Sequence, residues 1–435
     1  MSQNNTHMGI PAKQNKGYAW LVLGMMLLLY FMNYADRSIA TGLLEKIKAH
    51  YEVSDTYMGF VIGPAFAFIY CAAAIPIARL ADRNNRVRII AMGAIVWSLF
   101  TMLSGLAKTP EMFAAARFGI GIGEAAFFAP AYSLLSDYFP PKKRALAFAI
   151  MNLGVYFGGA FGMIGGAQIA QAYDWQTAFL FLGAPGIILA LLTLIFVREP
   201  ERGRLDHEAG IEKPKPLDFK TTMARLWSRP AYRNLVWSAA LGGFASIAFG
   251  SWAVAMFERI FDIANTEANT RYGGTAMLAG IIGVLAMGWL CDRGSKNNIQ
   301  TPYRLSAAGL FAFAVISIGL CFSPQVGLAT LLVIPASLLG AGWVVAVQAA
   351  LQDLLPAEMR ATATAIWAFA LTFAGLVIGV MTVGTLNDFL AAQYGNNAIR
   401  YSMALTLMVA IPASLLIFRA GKTADADRIA LRAMD

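Results

Sequence analysis

The chain has 435 residues, 58% hydrophobic and 14% charged, with a net charge of +9 and a mean hydropathy of +0.57. A soluble domain carries about 25% charged residues, so this composition excludes a string of soluble domains. Uncharged runs such as 89–107, 177–197 and 235–257 are each long enough for a hydrocarbon core of roughly 30 Å, and they satisfy their backbone as helices rather than barrel strands.

In chain order, helices are expected at 18–43, 57–79, 89–107, 111–137, 145–171 and 176–197. The apolar run after residue 17 lacks a small-residue cleavage site and leads into Asp36 and Arg37, so it is a retained first helix rather than a signal peptide. Residues 198–233 are dense in charge and broken by Pro200, Pro214, Pro216 and Pro230. They form the expected linker between bundles at 1–197 and 234–435, with a short amphipathic surface helix at 217–227. The second set of helices is expected at 235–262, 272–291, 303–322, 326–353, 361–388 and 400–418.

The two sets repeat. Ala78-Arg-Leu-Ala-Asp82-Arg83 after the second helix returns as Gly288-Trp-Leu-Cys-Asp292-Arg293 after the eighth. Pro140-Pro-Lys-Lys-Arg144 after the fourth returns as Pro356-Ala-Glu-Met-Arg360 after the tenth. Six is an even number, so both halves enter from the same side, as a parallel repeat of two rocking bundles would. The expected fold is therefore an all-α membrane protein of twelve transmembrane helices in two parallel six-helix repeats.

With both termini and the linker placed in the cytoplasm, basic residues crowd the cytoplasmic segments: Lys13 and Lys16, Arg79 to Arg88, Lys142 to Arg144, the linker, Arg293, Lys296, Arg304, Arg360 and the tail. The opposite side holds little beyond Lys46, Lys48, Lys108, Arg259, Arg271 and Arg400. This is the positive-inside pattern, so the net charge reports topology and no nucleic-acid partner; the expected location is the plasma or cytoplasmic membrane. Cys71, Cys291 and Cys321 have no paired spacing, which indicates neither a disulfide framework nor a metal site.

The segment 78–88 resembles the loop signature of the major facilitator superfamily, with Asp82, Arg83, Arg86 and Arg88 in place and Ala78 and Asn85 where the signature has glycines. Within that superfamily the chain resembles the Spinster family of lipid transporters. Asn33-Tyr-Ala-Asp36-Arg37, Arg117-Phe-Gly-Ile-Gly-Ile-Gly123-Glu124 and Asp82-Arg83-Asn-Asn-Arg86 carry that resemblance, which is clear over 18–200. The fifth helix, with Gly154, Gly158, Gly159 and Gly162, is similar to the superfamily's antiporter motif but lacks its proline. The resemblance implies that the first, fourth and seventh helices line one pathway, which would hold Asp36, Arg37, Arg117, Glu124, Glu258 and Arg259 together.

Ionisable groups inside a membrane require a partner or a function. Asp36 is the expected proton carrier, because its hold on a proton depends on dryness and on a nearby guanidinium; a static interhelical ion pair is the other reading. Arg37 points about 100° away from Asp36 on a helix, so its expected partner is Glu124 or a group on another helix rather than Asp36. Glu124 lies two turns beyond Arg117 on one face, so it would be a second protonatable site and Arg117 an anion-binding group, unless the two charges merely neutralise each other. Arg259 beside Glu258 either faces the pathway or extends its stem to the membrane surface. Asp82, Arg83 and Arg86, with Arg144, Asp292, Arg293 and Arg360, are the expected cytoplasmic gate, Asp82 meeting the N-terminus of the eleventh helix near Arg360.

His7, His50 and His207 fall outside the spans, so proton coupling would use carboxylates. No Walker loop, H-E-x-x-H or intramembrane Ser–His pairing is present, which argues against an enzyme. The expectation is a proton-coupled carrier of a lysophospholipid or sphingolipid, needing no cofactor beyond the proton gradient and working as a monomer among membrane lipids. A small organic anion or hydrophobic drug is the alternative cargo, and the repeated Asp-Arg loops favour a carrier over a channel or receptor.

Overall fold

The computed structural model describes residues 16–203, 205, 219–295 and 298–432. Lys13, His7, His207, Pro214 and Pro216 lie outside them. Among the described residues the chain is built from helices, and the membrane-length ones are α1 (Lys16–Gly42), α2 (Asp55–Arg83), α3 (Arg86–Gly105), α4 (Pro110–Tyr138), α5 (Pro141–Ala172) and α6 (Trp175–Phe196), followed by α7 (Pro230–Phe261), α8 (Asn265–Gly294), α9 (Thr301–Cys321), α10 (Val326–Leu354), α11 (357–394) and α12 (398–432). A 3-10 turn at Gly395–Asn397 divides the last apolar stretch, Glu358–Leu431, into two spans. Twelve helices in two parallel sets of six result.

Local chemistry sets their ends. Ser54, Asn85, Thr109 and Asp174 each accept a backbone N–H three residues on, starting α2, α3, α4 and α6, as N-cap side chains do. Prolines open α4, α5 and α7, where the missing N–H leaves no bond unmade. For that reason α7 begins at Pro230, inside the expected linker. A nine-residue helix, Phe219–Trp227, precedes it. The largest departure is α12, which continues as helix through the expected tail to Arg432.

α1 packs along α5, and α3 fits between α4 and α6; in the second set α10 lies against α8 and α9, and α7 against α12. The glycines of α5 serve this packing. A side chain on Gly158 or Gly162 would overlap the α1 backbone at Phe31 or Ala35, and close backbone approach of this kind is how small residues join helices in lipid.

The start of α1 and the end of α12 lie at one end of the bundle, the termini end, where Tyr18 meets Phe196 and Asp427 meets Ala231, and the loops after α1 and α7 lie at the far end. The sets join at the far end, where α11 lies on α2 with its Gly384 against the Asp55 carbonyl. Along α2, most of 55–67 is buried, whereas no residue from Phe68 to Leu80 is. The seam is therefore closed at the far end and open at the termini end.

Candidate functional site

A cavity of about 300 Å³ lies between the two sets. Tyr34, Arg37, Ser38 and Thr41 form its α1 wall, a spacing that makes one helical face. Phe66 of α2, Tyr156 and Met163 of α5, Ser251 of α7, Tyr272 of α8 and Leu376 of α11 complete the enclosure. Arg37 is the cation in this mostly apolar wall.

Behind Arg37 the charges change sign. Its Nε donates to Glu124 Oε2 at 3.1 Å, and its Nη2 bonds the same oxygen. The guanidinium stands over the rings of Phe66, Tyr34 and Tyr70, at 4.5, 4.9 and 5.4 Å, where aromatic faces attract a cation. The Arg37 side chain is 22% exposed and that of Glu124 0%, so the arginine separates the carboxylate from the cavity. Asp36 is fully buried, beside Thr101, and its carboxylate has no hydrogen-bond donor among the described residues. The Thr101 hydroxyl donates instead to the Trp97 carbonyl at 2.9 Å. Arg117 is also fully buried, its guanidinium 5.7 Å from the Phe66 ring, with Nε and Nη1 unpaired among the described residues. Two carboxylates and two guanidiniums thus share one dry patch inside the first set, where each charge depends on the others for compensation.

The expectation of six charges along one pathway needs correction. Only Arg37 among them reaches the cavity, and α4 does not line it. The reason is angular: the face of α1 that carries Tyr34 and Arg37 turns Asp36 into the bundle. Glu258 and Arg259 lie elsewhere, at the far end. There Arg259 Nη2 donates to Glu45 at 2.6 Å and to Asp55 at 2.8 Å, both in the first set. Lys48 pairs with Asp55 at 2.6 Å. Asp388 of α11 accepts the Asp55 and Thr56 N–H groups at 3.0 and 2.7 Å, and the Gly42 carbonyl accepts from Asn265 and Asn269. Glu258 itself accepts from Asn265 at 2.8 Å. Sequence reasoning missed Glu45, Asp55 and Asp388; the only local trace was Ser54-Asp55 before an apolar run, a helix-start pattern.

The expected gate is also rearranged. Asp82 and Arg83 are exposed, and no bond from Asp82 to α11 is present among the described residues. Arg202 instead occupies the end of α2, donating to the Ala81 and Asn84 carbonyls at 2.6 and 2.5 Å. Arg86 is buried and bonds Asp137 and Glu199, each at 2.6 Å, and Ser133 at 2.9 Å, so it ties α3, α4 and the end of α6 within one set. Arg144 Nε donates to the Phe139 carbonyl and Arg360 Nε to the Leu355 carbonyl, each at 3.0 Å. The repeated arginines thus fasten equivalent turns in their own halves. Asp292 is exposed, and Arg293 stands 5.5 Å from the Trp289 ring. These groups sit apart because the seam is open at the termini end.

Comparison with known proteins gives the family and the fold. The family described as Major Facilitator Superfamily matches residues 26–380. An MFS-type efflux pump of Mycolicibacterium smegmatis is 28% identical over 90% of this chain and 89% of its own. The sphingosine-1-phosphate transporter SPNS2 of Danio rerio is 25% identical over 86% of this chain and 77% of its own. The crystal structure of a bacterial homolog of the human lysosomal transporter Spinster, inward-facing and unoccupied, superposes with a TM-score of 0.84 at 25% identity, covering 95% of this chain and 99% of that one.

Proposed function

This chain belongs to the Major Facilitator Superfamily, and we propose that within it the chain is a proton-coupled carrier of an amphipathic lipid, a lysophospholipid or sphingolipid, working by alternating access. It is an integral membrane transporter resembling Spinster, not an enzyme.

One observation carries the finer reading: the cation in the cavity wall is held from behind by a buried carboxylate. Protonated Glu124 becomes a neutral group with a weaker hold on Arg37, which then turns to an anionic headgroup in the cavity. Asp36, balanced by Arg117, is the other proton site of the pair. The rest of the cavity, apolar and aromatic, receives the alkyl chain. The proton gradient supplies the energy and no cofactor takes part. The seam is the moving interface: the far-end ion network opens as Asp82 and Arg83 close the termini end. Both termini face the cytoplasm of a plasma or cytoplasmic membrane, in keeping with the basic residues at that end, and one chain suffices.

A second cargo has its own support. About 300 Å³ is at the small end of ligand pockets, and the similarity to an efflux pump fits a small organic anion or hydrophobic drug. Flux of a lysophospholipid against that of a small carboxylate, in proteoliposomes, separates the two. Coupling is tested by spin-label distances across the seam as a function of pH. Asp36→Asn and Glu124→Gln should each adopt the low-pH distances at every pH and abolish pH-dependent transport. If both variants kept the wild-type midpoint and amplitude, the carboxylates would be structural.

A further inference from the structure

A second recess lies on the outside of the first set, away from the central cavity. It holds about 320 Å³ between α2, α3 and α4. Gly93 and Gly123 form its floor, where a side chain on either would overlap the neighbouring helix. Leu80, Met92 and Ile122 stand at its edges, 53%, 56% and 47% exposed, and face the hydrocarbon because these helices span the membrane. Val96 closes the deep end. On α3 it lies eight residues from Arg88, about 12 Å along the axis.

Arg88 gives the recess a polarity. It is the charged residue of the lining, exposed, at the termini end. Its backbone N–H is taken by the Asn85 cap at 2.9 Å, and its guanidinium has no carboxylate partner among the described residues. Its neighbour Arg86, by contrast, is buried on Asp137 and Glu199. Exposed Arg83, three residues beyond Leu80, lies on the same face of α2, and Arg202 sits on the end of that helix. They outnumber the exposed Asp82. The result is a channel of acyl-chain character ending in a cationic rim at headgroup level.

We infer that this recess is a binding site for an anionic phospholipid of the termini-side leaflet, one acyl chain lying between α2, α3 and α4 and the phosphate on Arg88. The site is separate from the transport cavity. It also touches the transport machinery from behind: Gly123 and Ala126 of its wall flank the break in α4 that follows Glu124, where the Ala126 and Phe127 N–H groups bond three residues back rather than four. An acyl chain there supports the turn that aims Glu124 at Arg37.

The test uses the full chain in bilayer discs of equimolar phosphatidylglycerol and phosphatidylcholine with identical chains. Retained lipid is then identified by native mass spectrometry. Wild type should keep phosphatidylglycerol in preference. Arg88→Gln should lower the retained ratio about fivefold, the effect of one arginine at an anionic surface. Ile122→Trp, at an exposed edge, should fill the recess and reduce retention of both lipids. Arg304→Gln, an exposed arginine of the second set whose side chain bonds only Gln300 among the described residues, should change neither. Retention of both lipids at the bulk ratio by wild type would reduce the recess to ordinary annular contact. The site is equally overturned if Arg304→Gln matches Arg88→Gln, or if Ile122→Trp leaves retention unchanged.

Discussion

The two ends of the seam use the same residue types in opposite ways. At the far end Arg259 reaches across the halves to Glu45 and Asp55, and Asp388 caps the start of α2. At the termini end Arg86, Arg144 and Arg360 all turn inward to their own halves. A charge near a domain boundary is therefore no evidence of a bond across it. What decides is whether backbones can approach, and glycine permits this at the far end: a side chain on Gly63 of α2 would overlap α11, as one on Gly384 of α11 would overlap α2.

Breaking the far-end network should have the largest effect. Arg259→Ala leaves Glu45 and Asp55 without the cation that joins them, with side chains 24% and 3% exposed. Losing one partner of a buried pair costs about 3–5 kcal/mol, and Lys48, still on Asp55, keeps the loss near the lower figure. Far-end spin-label distances should lengthen, shifting the population away from the arrangement described. Unchanged distances would mean that helix packing alone closes this end.

Asp388→Ala should act in the same direction with less force. It removes the acceptor of two N–H groups at the start of α2, and loss of a cap costs roughly 0.5–2 kcal/mol. A double-mutant cycle with Arg259→Ala, read by thermal melting in detergent, would sharpen the comparison. Additive losses would show the cap and the ion network acting independently, although both converge on Asp55.

The smallest effect belongs to Asp82→Asn at the open end. The carboxylate is exposed, and an exposed substitution of this kind changes stability by about 0.5 kcal/mol or less. Only in the closed counterpart would Asp82 meet a helix terminus, a contact of roughly 0.3–1 kcal/mol. Distances across the termini end should therefore stay as they are at rest and resist shortening when cargo is supplied. A variant that closes as readily as wild type removes Asp82 from the gate.

Sequence by itself determined the solvent, the number of spans and the repeat, because hydropathy, cap residues and charge segregation act over one or two turns and need no partner. It also turned Arg37 away from Asp36, since neighbours on a helix point about 100° apart, toward Glu124 or another helix's group, and the structure supplies Glu124. Only the tertiary structure decided which charges face the cavity and which lie behind it. Asp36 and Arg37 are adjacent in the chain, yet one is sealed in the bundle and the other lines the wall. Arg259 and Glu45 lie 214 residues apart, yet they bond. Such pairings depend on the rotation of each helix about its axis and on how the two halves lean together. Both are set by packing summed over many side chains, and no local run of residues records either.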